Sequence, residues 1–200
     1  MSMPLDLFLP LLAFAAATAF TPGPNNIMVT ASGVNFGFTR TLPHILGITL
    51  GFVVLLIGCA AGLGAIFAAY PQLQIVLKIA GAAYMLWLAW KIATAKPASD
   101  SGGPIAQPIS FWQATLFQWV NPKAIVVSLS AIAIYVRPES WFSDLALLLM
   151  VFAIATILAV MAWTGFGVAL RRLFTDPTCA RVFNLAMAAL LVVSIVPMVI

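Results

Sequence analysis

Charge is what this sequence has least of: nine Lys and Arg, five Asp and Glu and one His among 200 residues, or 7% charged side chains. That is too little polar surface to cover a water-soluble domain, and 64% apolar residues with a mean hydropathy of +1.12 exclude a soluble fold. Cysteine is nearly absent too. Cys59 and Cys179 are isolated, so neither a disulfide framework nor a paired-thiol relay is available, and two free thiols are expected. No HExxH or GxSxG occurs, and the single histidine, His44, has no evident nucleophilic partner. The chain is therefore not expected to be an enzyme, and no metal or cofactor site is expected.

What the sequence has in abundance is long apolar runs. Six stand out, at Leu5 to Ser32, Leu42 to Ala69, Leu73 to Ile92, Phe111 to Val136, Leu145 to Leu170 and Val182 to Ile200. A span needs roughly 20 apolar residues, so six spans with short connections fill the chain. The expected fold is an all-α integral membrane protein of about six transmembrane helices in one domain, 1–200, with the lipid bilayer as its surroundings. One linker-like stretch, 96–108, is rich in Pro, Ser and Gly. It divides the chain into halves of three spans each, about 1–95 and 108–200.

The net charge of +4 reads as topology rather than as a nucleic-acid surface. Arg40 falls in the first connection, Lys91 and Lys96 border the third, and Arg171, Arg172 and Arg181 lie in or beside the fifth. The second connection has no basic residue, and the fourth has Arg137 with Glu139 and Asp144 beside it. By the positive-inside rule the odd connections are cytoplasmic, which puts both termini in the periplasm and Cys59 far from Cys179. Ala17-Thr18-Ala19 has the look of a signal cleavage site. No basic residue precedes it, Asp6 occupies the place of a basic n-region and Pro22 follows closely, so the segment is expected to stay as the first helix.

The informative feature is an internal repeat. Pro24 to Ser32 (PNNIMVTAS) matches Pro122 to Ser130 (PKAIVVSLS) at an offset of 98 residues, sharing Pro, Ile, Val and the final Ser. Three spans separate the copies, and an odd number of crossings inverts the second relative to the first. Inverted pairs with broken helices are the architecture of secondary transporters, whose substrate sites lie between the halves. Two inverted three-helix repeats are therefore expected.

Each copy carries a break. Thr21-Pro22-Gly23-Pro24-Asn25-Asn26 cannot continue an ordinary helix, because each proline removes an amide donor and clashes with the carbonyl four residues back. Irregular backbone inside a membrane survives only where protein buries it or water reaches it, so the break is expected to line a cavity. A proline kink repaired by the Thr21 and Asn25 side chains is the simpler alternative. Asn121-Pro122-Lys123 makes the second break and places a lysine in an otherwise uncharged run. An intramembrane cation is costly, roughly 2.5–3.5 kcal/mol for a central Lys on insertion scales, and needs an anionic or carbonyl partner. Apart from Asp6 at the edge of the first run, no acidic residue lies within the six runs, so a substrate carboxylate is one candidate partner; snorkelling is the other explanation.

Lys78 is a second, shallower cation, with Gly81 and Tyr84 following at spacings of three. Gly47 and Gly51, then Gly58 and Gly62, form two small-xxx-small pairs for close contact within the bundle or between subunits, which makes a homodimer compatible with the sequence. His44, beside Pro43, is a candidate for proton coupling, with a capping or interfacial role as its alternative.

TPGPNN at 21–26, KIAGAAY at 78–84 and NPKA at 121–124 together resemble the LysE/RhtB family of amino-acid exporters, and the resemblance covers the whole chain. Within that family, GAAYMLWLAWKIAT (81–94), PISFW (108–112) and FQWVN (117–121) are similar to members that export cysteine and O-acetylserine. The resemblance implies an efflux carrier of the bacterial inner membrane driven by the proton gradient, and puts the binding role on Thr21 to Asn26 and on Asn121, Pro122 and Lys123, with Lys78 and Tyr84 as further candidates. Members that export lysine, arginine, homoserine or threonine often carry an intramembrane acid, whereas the fifth run has only Thr156 and Thr164 as polar groups. A small neutral amino acid is the expected substrate; homoserine or threonine export, or a passive channel, is the alternative.

Overall fold

The computed structural model describes residues 3–95, 107–171 and 177–196. These are helical almost throughout: α1 (Leu5–Phe20), α2 (Pro24–Phe36), α3 (Phe38–Gly58), α4 (Gly64–Ala69), α5 (Pro71–Ala93), α6 (Phe111–Gln118), α7 (Pro122–Tyr135), α8 (Trp141–Arg171) and α9 (Pro177–Val193). A π turn at Cys59–Leu63, with Gly62 at φ 107°, joins α3 to α4 so that Phe38–Phe67 runs as one apolar rod. The expected linker 96–108 falls outside the described residues except for Gln107 and Pro108.

Three elements are long and apolar enough to cross a membrane alone, Phe38–Phe67, Ile75–Ala93 and Pro138–Arg171. Two more do so as bent pairs, α1 with α2 at 52° and α6 with α7 at 58°. α9 has 17 residues, about 25 Å at 1.5 Å per residue, the short end of what spans a bilayer. It begins at Pro177, five residues before the apolar run does, because proline fits the first turn of a helix and an apolar criterion overlooks the polar residues of that turn. Large apolar side chains such as Leu50, Val54, Phe142 and Leu158 face outward, as lipid contact requires.

Backbones approach closely where glycines allow it. A Cβ on Gly33 of α2 would collide with the Thr164 carbonyl of α8, and one on Gly167 of α8 with the Thr30 carbonyl of α2. Gly47 and Gly51 of α3 stand in the same way against Phe111 and Thr115 of α6, whose Thr115 Oγ1 donates to the Gly47 carbonyl at 3.1 Å. The first small-xxx-small pair is thus spent inside the bundle, and the argument it offered for a homodimer goes with it. Gly58 lies against the Trp119 ring, and Gly62 serves the π turn.

The ends of the bundle differ in charge. Arg40 sits over the Phe36 ring at 5.7 Å and Arg171 comes nearest to Gly37, so both flank the α2–α3 corner. At the α7–α8 corner, the Asp144 carboxylate accepts from Arg137 Nε at 2.7 Å, from Arg137 Nη2 at 3.0 Å and from Ser140 Oγ at 2.9 Å. Asp144, expected in the fourth connection, is in the first turn of α8, which begins at Trp141, and is buried. Its charge is matched by Arg137, as a buried carboxylate demands. Cys59 is buried and Cys179 exposed in the first turn of α9, both as free thiols.

Candidate functional site

The two breaks meet. α1 stops at Phe20 and α6 at Gln118, 98 residues apart; α2 and α7 restart at Pro24 and Pro122, again 98 apart. A proline at the first helical position loses no hydrogen bond, so the first break ends at its second proline, Pro24, and the second at its single proline, Pro122, each of which begins a new helix. Between these ends lies a cavity of about 60 Å³, enough for roughly four to six waters on the 10–15 Å³ each requires. Its polar lining comes from Asn25 and Asn26 of α2, Asn121 and Lys123 of the second break, and Thr156 of α8, while Phe52 and Phe152 close it with apolar surface.

Every exposed carbonyl at the end of α1 has a donor. Asn26 Nδ2 reaches the carbonyls of Ala19 and Thr21, both at 2.9 Å. Trp163 Nε1 donates to the Phe20 carbonyl at 3.2 Å. Lys123 Nζ, from the other break, donates to the Thr21 carbonyl and hydroxyl, each at 2.9 Å. A cation at the negative end of a helix is favourable, worth about 0.3–1 kcal/mol at an exposed end and up to about 2 when partly buried. Gly23 makes room for it: a Cβ there would lie 3.0 Å from Lys123 Cδ and 3.1 Å from Nζ.

A second link crosses one turn deeper. Asn25 Nδ2 donates to Gln118 Oε1 at 2.8 Å, and Gln118 Nε2 returns to Asn25 Oδ1 at 3.2 Å while also reaching the Ala114 carbonyl at 2.8 Å. Asn121 turns inward on its own helix, its Oδ1 capping the Lys123 amide at 3.2 Å. Thr21 repairs its own helix end, its Oγ1 donating to the Thr18 carbonyl at 3.2 Å, but Asn25 is bound across to α6 and Thr21 also accepts from Lys123 of α7, so the break is more than a locally repaired kink.

Two half-helix N-termini, those of α2 and α7, thus present their positive ends to one cavity that also holds an ammonium. Among the described residues no Asp or Glu is in its lining. Chemically this arrangement suits an anion, and Lys123 is held at the Thr21 carbonyl and hydroxyl.

Of the residues expected at the site, Gly23, Pro24, Asn25, Asn26, Asn121 and Lys123 line the cavity, and Thr21 reaches it through Lys123. Pro22 and Pro122 shape the breaks without appearing in the lining. Lys78 and Tyr84 are elsewhere. Lys78 is exposed on the outside of α5, whereas Tyr84 is half-buried, its hydroxyl donating to the Gln113 carbonyl at 3.0 Å. Two steps of three residues leave Tyr84 about 120° around the helix from Lys78, which is why the expected shared face does not form. His44 is not interfacial: it is fully buried, with Nδ1 3.2 Å from Ser32 Oγ and no partner for Nε2. Sequence reading missed Gln118 and Trp163 as site residues. Gln118 had a signal, being a polar side chain one turn before the break; Trp163 had none, because a tryptophan in an apolar run reads as packing.

A second cavity, of about 220 Å³, opens toward the end that carries Arg40 and Arg171, between α2, the end of α5 and the residues leading into α6. Ser32, Asn35 and Lys91 are in its wall. Asn35 is bound to Asn184 of α9 by a reciprocal amide pair of 2.8 and 2.9 Å.

Among the described residues the chain is an all-helical bundle of membrane-crossing elements with two broken helix pairs around a cavity, the architecture of membrane transporters. The family described as LysE type translocator matches residues 16–197, and the chain belongs to it. The chain is 36% identical to the cysteine/O-acetylserine efflux protein of Klebsiella pneumoniae subsp. pneumoniae over 185 residues, 90% of this chain and 91% of that protein. It is also 36% identical to the protein of the same description from Escherichia coli (strain K12) over 183 residues, 90% of each chain, and equally to that of Shigella flexneri. These relatives are transporters rather than enzymes. No solved structure matches the chain.

Proposed function

We propose that this protein exports small neutral amino acids of the cysteine and O-acetylserine type across the bacterial inner membrane, with the substrate carboxylate bound by Lys123 between the two breaks. The observation that carries the reading is the Lys123 ammonium, held among the described residues by the Thr21 carbonyl and hydroxyl alone, in a cavity faced by two helix N-termini and by no described carboxylate. A substrate carboxylate offers that ammonium an opposite charge, which the Thr21 carbonyl and hydroxyl do not. The lack of an acid in the lining supports a neutral side chain over lysine or arginine, whose second cation would stand beside Lys123 unpaired. The cavity's size favours a small substrate and implies that the site widens to admit it.

The equal 98-residue spacing of helix ends around the breaks supports an inverted repeat, and with it alternating access by rocking of the halves about the site. The clustering of Arg40 and Arg171 at one end supports that end as cytoplasmic and both termini as periplasmic. His44 is the candidate for proton coupling: it is the one imidazole, and its Ser32 partner lines the second cavity. The test is counterflow of labelled cysteine, O-acetylserine and lysine into proteoliposomes. Saturable exchange of the first two, with lysine much slower, is expected. Lysine exchanging as fast as cysteine refutes the substrate class, non-saturable flux points to a channel, and no exchange of any amino acid by folded protein refutes the function.

A further inference from the structure

The second cavity has features of a binding site that the central one does not account for. At about 220 Å³ it is several times larger than the central cavity, so it admits a small amino acid without rearrangement. Its wall carries Lys91, a half-buried cation in the last turn of α5. The Lys91 ammonium is poorly engaged: Gln113 Oε1 lies at 3.4 Å and already accepts the Ser110 amide at 3.0 Å, and the Trp87 ring is 5.1 Å away. Among the described residues no carboxylate pairs with it, the one ion pair being Arg137 with Asp144.

Opposite, on α2, Ser32 faces the same cavity, and its hydroxyl is joined to a fully buried imidazole whose other nitrogen has no partner. If Ser32 donates to His44 Nδ1, its lone pairs are free to accept from a substrate ammonium. The wall therefore offers a cation for a carboxylate and an oxygen for an amine, the two ends of a zwitterion. Arg40, over the Phe36 ring that also lines the cavity, and Arg171 near Gly37 add positive potential at this end, which draws carboxylates inward.

We propose that the cavity between α2, α5 and the start of α6 is a second substrate site, a loading station that binds the carboxylate of a small amino acid at Lys91 and its amine at Ser32 before transfer to Lys123. Ser32 and Asn25 are seven residues apart on α2, about 10 Å, so one helix connects the stations and the substrate passes between two cations along it. This rests on the export reading, and the experiment separates the two.

Equilibrium dialysis of labelled O-acetylserine against the purified Lys123→Ala protein is expected to retain saturable binding, which Lys91→Gln added to it removes and Lys91→Arg largely keeps. In exchange assays Lys91→Gln alone is expected to raise the KM at least about fivefold for substrate presented at the Arg40 end while the maximal rate changes less than twofold, the pattern of a lost binding contact. Binding to Lys123→Ala that ignores Lys91, or a Lys91→Gln protein with unchanged KM, overturns the inference and leaves export intact. Should Lys91→Gln fail to fold, Ser32→Ala takes its place with the same expectation. Lys91-dependent binding without exchange in the unsubstituted protein would instead refute export and keep the site.

Discussion

The two broken helices look alike in sequence and do different work. The first, at Thr21–Gly23, is a collection of acceptors: the carbonyls of Ala19, Phe20 and Thr21 project past the end of α1 and are served by side chains from three other places in the chain. The second, at Trp119–Asn121, looks after its own backbone through the Asn121 cap and sends out a cation instead. Repeat partners differ at the decisive position, Asn25 in one copy and Lys123 in the other. Two breaks of like sequence thus carry different side chains at matched positions, and under the proposed function Lys123 supplies the cation that a single carboxylate needs.

The sharpest way to break this asymmetry is Lys123→Ala, which removes the charge and leaves both breaks. Exchange of cysteine or O-acetylserine should fall about 10- to 100-fold, the value of a charge-assisted bond of about 1.5–3 kcal/mol, with the folded state retained in detergent. Swapping the two residues, Asn25→Lys with Lys123→Asn, asks whether the breaks are interchangeable. They should not be: the swap is expected to leave exchange as low as Lys123→Ala does, because Asn25 is committed to the Gln118 pair. Recovery of half the original rate would mean that the breaks are equivalent.

Smaller effects are expected for the bonds that hold the breaks together. A double-mutant cycle of Asn25→Ala and Gln118→Ala, read from the detergent denaturation midpoint, should give a coupling of about 0.6–1.7 kcal/mol, the range for side-chain hydrogen bonds between membrane helices. Gly23→Ala should do least. Its φ of −168° suits any residue, so its Cβ can act only by displacing the Lys123 side chain, and a two- to fivefold rise in KM with unchanged stability is expected from exchange kinetics.

Much of the fold was legible because the bilayer imposes it. Apolar run lengths located the spans to within a few residues at most ends, and the match of Pro24 to Pro122 located both breaks. Proline alone was not the signal, since Pro10 and Pro43 lie inside α1 and α3 without ending them; it was proline next to glycine or another helix-terminating residue. The cavity members on either side of each break followed from the same pattern. What stayed hidden depended on which helix faces which. Gln118 and Trp163 reach the site only because α6 and α8 pack beside α2, and His44 is buried rather than interfacial because the α2–α3 corner folds its Ser32 partner over it. Lys78 and Lys123 are both lone cations in apolar runs, the first shallower, and the packing leaves Lys78 on the outside of α5 and Lys123 at the cavity.

The central claim is that Lys123 recognises a carboxylate, and the most direct test is discrimination rather than rate. Counterflow of cysteine should be compared with cysteamine, which keeps the thiol and amine and lacks the carboxylate, in the unsubstituted protein and in Lys123→Ala. The account predicts that the unsubstituted protein prefers cysteine by about tenfold or more, a difference of about 1.4 kcal/mol, and that Lys123→Ala handles the two alike. A Lys123→Ala protein that still prefers cysteine by the full margin would place the carboxylate elsewhere and contradict the account.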